Sequence, residues 1–344
     1  MFHPKRILFV QDIKDYTDKF LISGVRKQAK GLIRLGHDVQ MFNYGGAFWE
    51  TAPVASKLLR RRWCKHKVDA LLARQIGHYR PDIIHVGFAN FLDTDTVAVM
   101  RQAAPDAVLV GMDGDPWPEL HPGRVAVASK LDWLLATYEG RWLDFYRNTG
   151  VRCAFMPNPC DPDIDRRYEV EDKWKKDILF TGKTRQSHKR YPTDPARHRI
   201  IERLAQMDNC AIYGCLGRPK IGGTDYMYAI SGAKMALSIS IASDVRFYHS
   251  DRFTHYIAGG TLVLAKRVPD SDLLFKDGVH VRYFDAEEEF FELAKWYLTH
   301  EDERRRIADA GMARAHAEFS GLQIAKYTLD LIEKGSYDAP WFQG

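Results

Sequence analysis

Cysteine is scarce in this sequence, long apolar runs are missing, and neither sign of charge dominates. The five cysteines, at positions 64, 153, 160, 210 and 215, are odd in number and include no C-x-x-C pair. That usage argues against a disulfide framework and a zinc site, and for reduced, mostly buried thiols. No segment approaches the roughly 18 uninterrupted apolar residues of a membrane helix. Met1 to Arg6 lead into a strand and not into a signal-peptide apolar region, so a soluble, cytoplasmic protein is expected. A net charge of +5 is mild and gives no reason to expect a nucleic-acid partner. Nucleotide fingerprints are also missing. Tyr213-Gly214-Cys215-Leu216-Gly217 lacks the G-x-G-x-x-G spacing, and Gly182-Lys183-Thr184 is no Walker A loop because the first glycine would be residue 177, which is Asp177. No solenoid repeat or low-complexity tract is present.

What is there is an alternation of short apolar runs and helical patterns over 344 residues, enough for two domains with separate cores. In the first half, strands are expected at Arg6 to Gln11, Asp38 to Phe42, Asp82 to Val86, Ala107 to Gly111 and Arg152 to Met156, with another starting at Leu131. Helices fall between them, at Val25 to Leu35, Val68 to Tyr79 and Thr94 to Gln102. Pro157 to Pro162, dense in turn formers, reads as a hinge. Beyond it the alternation restarts at Asp177 to Thr181. The fold class is therefore α/β, with two Rossmann-like, doubly wound domains facing each other across a cleft. The expected limits are 1–160 and 161–325, with 326–344 as a C-terminal helix and tail returning to the first domain. Ligands of such sheets sit outside the carboxyl ends of the strands, here the loops after Val10, Gly111, Phe180, Tyr213 and Ile241.

The most patterned stretch opens at Ser250-Asp251-Arg252-Phe253-Thr254-His255, passes through Ala258-Gly259-Gly260 and enters the strand Thr261 to Ala265. It reads as a helix whose N-terminus carries an arginine and free backbone amides, an arrangement that holds phosphate. The segment FKDGVHVRYFD, read as an apolar then acidic turn, an acidic helix and the run RRRIADAGMARAHAEFS follow in order. In this order of elements, from about Lys175 to Tyr327, the chain resembles GT-B glycosyltransferases, closest to the CgeB-like group of the glycosyl-transferase-1 type. Ile22 to Val25 followed by Leu35-Gly36-His37-Asp38-Val39 resembles the first loop and helix of the same enzymes, with Ser23 in place of one of the usual glycines.

The resemblance implies a nucleotide-activated sugar donor bound mainly by the second domain, a hydroxyl acceptor on the first, no catalytic metal and no cofactor. It places Gly182, Lys183 and Arg190 on the donor diphosphate, Tyr213 and Gly214 at the nucleotide base, and Arg252 and His255 on the donor. Ser23 and Gly24 fall on the acceptor side. Cations near the diphosphate stabilise charge as the nucleotide departs. Asp113 and Asp115, after a strand at the cleft edge, are the candidate catalytic carboxylates, with turn-capping as the bland alternative. Relatives carry a glutamate where His255 stands and a second where Phe247 stands. These losses keep two other readings open, a sugar-nucleotide epimerase or hydrolase and a non-catalytic sugar-nucleotide-binding protein. The acceptor is expected to be a glycan, a lipid-linked glycan or another hydroxyl compound, in glycan or polysaccharide assembly. Arg60, Arg61, Arg62 and Trp63 form either a solvated helix face or a peripheral contact with the inner face of a membrane.

Overall fold

The structure, a computed structural model, describes residues 3–13, 23–51, 57–87, 92–116, 122–183 and 194–342. The first domain contains β1 (Arg6–Gln11), α1 (Gly24–Arg34), β2 (Asp38–Asn43), α2 (Tyr44–Thr51), α3 (Lys57–Tyr79) and β3 (Ile83–Gly87). It continues with α4 (Thr94–Ala103), β4 (Val108–Asp113), α5 (Pro122–Ala128), β5 (Trp133–Ala136), α6 (Arg141–Arg147) and β6 (Arg152–Phe155). Its six strands are all parallel, in the order β2-β1-β3-β4-β5-β6. The central strands are nearly continuous apolar runs because helices cover both faces of the sheet. Ile7, Leu8, Phe9 and Val10 of β1 are all buried. The pattern found these strands but missed α2, α5 and α6, which are eight residues or shorter and weakly amphipathic.

The second domain repeats the plan. It contains β7 (Lys176–Thr181), α7 (Pro195–Ala205), β8 (Cys210–Tyr213), α8 (Gly223–Gly232), β9 (Ala233–Ser238), α9 (Asp251–Ala258) and β10 (Leu262–Lys266). After these come α10 (Ser271–Leu274), β11 (Arg282–Phe284), α11 (Glu287–Thr299), α12 (Glu301–Glu318) and α13 (Gly321–Lys334). The parallel order is β11-β10-β9-β7-β8. The segment read as a turn, Val281 to Asp285, is the short edge strand β11, paired with β10 at Leu264, Ala265 and Lys266. Its three residues are too few for alternation to show.

Helix α13 leaves the second sheet and packs against α1 of the first domain. Gly31 and Gly321 lie at the crossing, where a Cβ on either would strike the other helix's backbone. Gln28 Nε2 donates to Thr328 Oγ1 across the same contact at 3.1 Å. The turn after Pro159 is tied to α1 by charge. Lys27 Nζ meets Asp165 at 2.5 Å with both side chains buried, and Lys30 bridges Asp161 and Asp163. The tail folds back too. Trp341 is buried against Phe319 and Tyr327, and the Tyr337 hydroxyl donates to the Phe155 carbonyl. One apolar cluster thus runs through both domains, from Ile7 and Leu32 to Ala258 and Phe275. A second lies wholly behind the second sheet. No helix among the described residues is long and apolar enough to cross a membrane.

Candidate active site

The carboxyl ends of β7, β8 and β9 bring four of the expected donor residues together. Gly182 follows β7 with φ 146°, a backbone conformation open to glycine, and a Cβ there would collide with Nη1 of Arg252. Its amide donates to the Tyr213 carbonyl at 2.9 Å, which sets Gly182 beside Tyr213 and Gly214. Arg252, in the first turn of α9, donates to the carbonyls of Thr181 and Ile239 at 2.8 and 3.2 Å, and its guanidinium lies over the Phe180 ring. Lys183 is exposed at the same edge. Arg190 lies outside the described residues.

A further cation, absent from the sequence-based set, completes this cluster. Arg197, in the first turn of α7 and only 2% exposed, donates to the carbonyls of Ile239 and Lys183, and its guanidinium also lies over the Phe180 ring, 5.4 Å from the centroid. Burial, with Arg252 nearby, pushes its pKa down to about 9. Neither arginine pairs with a carboxylate among the described residues, and residues 184–193 contain no Asp or Glu in their sequence. The Nε atoms of both are buried without a hydrogen-bond partner. A buried and a half-buried like charge, held among the described residues only by carbonyls, repel one another and would be stabilised by an anion placed between or above them. The helix end itself offers less than expected. The amides of Arg252 and Phe253 are taken by Asp251 Oδ1 and the Ser250 carbonyl, so the free hydrogen-bonding capacity at this edge lies with the arginine side chains more than with the first α9 amides.

On the first domain the two candidate carboxylates separate. Asp113, at the end of β4, is 1% exposed; Arg124 and the hydroxyls of Tyr138 and Tyr146 donate to it, the tyrosines at 2.8 and 3.3 Å. Burial pushes its pKa up while Arg124 and Tyr138 pull it down. Such a carboxylate is fixed inside the domain, away from any acceptor. Asp115, two residues on, is exposed on the cleft side, and its carboxyl accepts from the hydroxyl of Tyr248 of the second domain at 3.0 Å. Packing around the carboxyl raises its pKa, Tyr248 opposes the rise, and Asp251 nearby adds to it. Ser23 is the N-cap residue of α1, and Gly24 opens that helix 3.4 Å, measured from its Cβ position, from the Pro159 ring. Both therefore stand beside the hinge, on the first-domain side.

His255 is 2% exposed, against the Tyr226 hydroxyl at 3.4 Å, and burial holds it neutral, its pKa well below the ordinary value. It does not reach the cleft surface. Phe247 is likewise buried, packed on Phe155 of the first domain. Neither position where relatives carry glutamate offers a polar group to the cleft. Trp63 is exposed on α3, while the side chains of Arg60, Arg61 and Arg62 lie outside those described. No group of three or more His, Cys, Asp or Glu side chains is arranged for a metal ion among the described residues. The residues missed from sequence are Arg197 and Tyr248. Arg197 is one of several cationic residues on α7, and spacing does not tell which of them turns inward.

Comparison with known proteins bears on the fold and on the second domain. Residues 189–330 match the family described as Glycosyl transferase-like. No curated protein matches the chain. Among solved structures, HepE of Anabaena in complex with UDP-glucose superposes with a TM-score of 0.62 at 13% identity, covering 96% of this chain and 100% of that one. A glycosyltransferase from Rickettsia africae gives 0.63 at 12% identity over 97% and 99% of the two chains. Sucrose-phosphate synthase from Thermosynechococcus elongatus gives 0.59 at 13% over 96% and 98%. The chain thus has the GT-B fold over nearly its whole length, and the family match falls within its second domain, from α7 to α13.

Proposed function

We propose that this protein is a glycosyltransferase that moves a sugar from a nucleotide-activated donor to a hydroxyl acceptor. The observation that carries the reading is the pair of Arg197, buried, and Arg252, half-buried, at the strand ends of the second sheet, with no carboxylate partner among the described residues. A donor diphosphate supplies the missing negative charge. Lys183, at the exposed rim, adds a third cation, and together these groups stabilise charge on the departing nucleotide. Asp115, facing the second domain across the cleft, is the acceptor-side base, and Asp113 is the buried anchor of its turn, accepting the Asp115 amide at 3.4 Å. The hinge at Pro157 to Pro162 brings the two faces together and excludes water. HepE, of the same fold, was solved with UDP-glucose, which makes UDP-glucose the first donor to test. A glycan, free or lipid-linked, is the proposed acceptor, and the exposed Trp63 supports a peripheral membrane contact.

A thermal-shift screen against UDP, GDP, dTDP, ADP and CMP tests the reading. A ligand at 100 times its dissociation constant stabilises by about 2.7 kcal/mol. A selective rise with one nucleoside diphosphate is expected, and turnover by that donor should collapse in Asp115→Asn while donor affinity stays. A second reading, binding without turnover, is favoured by the burial of Phe247 and His255 away from the cleft. It prevails if the donor binds and no acceptor, water included, yields free nucleotide. Rapid nucleotide release with donor alone identifies the hydrolase or epimerase alternative.

A further inference from the structure

The segment between β9 and α9, residues 239–250, leaves the second sheet and lies on the first domain. The Glu139 amide donates to the Arg246 carbonyl at 3.0 Å, and Asn158 Nδ2 donates to the His249 carbonyl at 3.1 Å. Arg141 pairs with Asp244, and Phe247 packs against Phe155 with centroids 4.8 Å apart and the rings tilted by 44°. Phe247 has φ 61°, a left-handed conformation that costs a bulky residue about 1–3 kcal/mol and persists only where its surroundings enforce it. Here they do. Arg246 covers one side of the ring, and the Phe247 amide bonds to the Pro269 carbonyl. This turn sends the next side chain, Tyr248, 2% exposed, to Asp115 of the other domain.

We infer that Tyr248, carried by a second-domain segment docked on the first domain, is a positioning residue that holds the Asp115 carboxylate in the orientation needed to accept the acceptor's proton. The inference rests on Asp115 being the base of the proposed reaction. One Asp115 oxygen is occupied by Tyr248, which leaves the other to face the acceptor hydroxyl. The tyrosine comes from the connection between β9 and α9 of the second domain but is buried in the apolar cluster of the first, so the carboxylate is held by a second-domain segment docked on the acceptor side. Among the described residues, the charged and titratable groups around Asp115 are Asp113 at the end of β4, Arg124 on α5, Tyr248 between β9 and α9, and Asp251 on α9. Of these, Tyr248 binds the carboxylate directly, and its hydroxyl favours the ionised form.

The test is a ¹³C NMR titration of protein labelled at aspartate carboxyls, with Asp115→Asn to assign the signal, in wild type and in Tyr248→Phe. Removing the hydroxyl alone should raise the Asp115 pKa by about one unit. A thermal midpoint within a few degrees of wild type should show that the fold is kept. In parallel, UDP-glucose consumption by Tyr248→Phe should fall about tenfold, the equivalent of one hydrogen bond to a charged group, with donor affinity unchanged and the acid limb moved to higher pH. An Asp115 pKa equal in both proteins overturns the inference, whatever the activity. If the pKa moves and Asp115→Asn still turns over donor at the wild-type rate, the bond stands, but the role of Asp115 in the proposed function fails. Should Tyr248→Phe unfold, the tyrosine ¹³Cζ signal of Tyr248 in Asp115→Asn gives the same answer, its shift supporting the contact and its constancy refuting it.

Discussion

Two charge centres flank the cleft, and they are built in opposite ways. In the first domain Asp113 is matched by Arg124 and two tyrosine hydroxyls, and nearby Lys27 is matched by Asp165. In the second domain burial, with Arg252 nearby, depresses the pKa of Arg197, and among the described residues only carbonyl oxygens answer the two arginine side chains. The matched centre carries its own counter-charge and reads as structure. The unmatched one carries a standing electrostatic cost that a bound anion removes, so it reads as a binding site. Burial alone therefore conceals different roles, and the partner inventory separates them.

The comparison breaks most readily at Arg124. Arg124→Leu leaves the Asp113 carboxylate buried without its cation and should destabilise the protein by about 3–5 kcal/mol in urea unfolding; a loss no larger than that of an exposed substitution would mean that the first centre is not matched by this pair. Acid should act on both domains, because His85 of β3 and His249 between β9 and α9 are buried, with pKa values lowered to about 4 and about 3. Both native pKa values lie below the unfolded value of about 6.5, so the stability they contribute is complete above that pH and is lost as pH falls. Each should remove about 1.4 kcal/mol per pH unit until pH passes its native pKa. His85→Leu, which removes a ring whose nitrogens have no partner and which stacks on Phe9, should flatten the slope between pH 6.5 and 5, and an unchanged slope would reject this origin. The smallest expected effect is at the exposed rim. Lys183→Ala should alter stability by less than about 0.5 kcal/mol and weaken nucleotide binding by about 1 kcal/mol, as calorimetry would show.

Much of this architecture was legible in the sequence because parallel strands covered on both faces are written as apolar runs, and Arg6 to Gln11 or Asp177 to Thr181 needed no tertiary information. Gly182, Tyr213, Gly214 and Arg252 also converge, since strand ends of one sheet must share an edge. What stayed hidden depended on direction. Asp113 and Asp115 look equivalent as a pair spaced by one glycine, yet one turns into the domain and the other toward Tyr248. Arg197 looks like the solvated cations beside it on α7, and Tyr248 has no neighbour in sequence that announces a contact 133 residues away. His255 and Phe247 stand where relatives present glutamate but are buried, which no spacing argument shows.

The most direct test of the account is a calorimetric titration with inorganic pyrophosphate, which carries the chemistry shared by all nucleoside diphosphates without presuming the base. Wild-type protein should bind it, more weakly as salt rises, and Arg252→Met should bind about tenfold to a hundredfold more weakly, matching the loss of one or two charge-assisted hydrogen bonds. Equal affinity in the two proteins, or no binding by wild type at low salt, would contradict the assignment of Arg197 and Arg252 as an anion site.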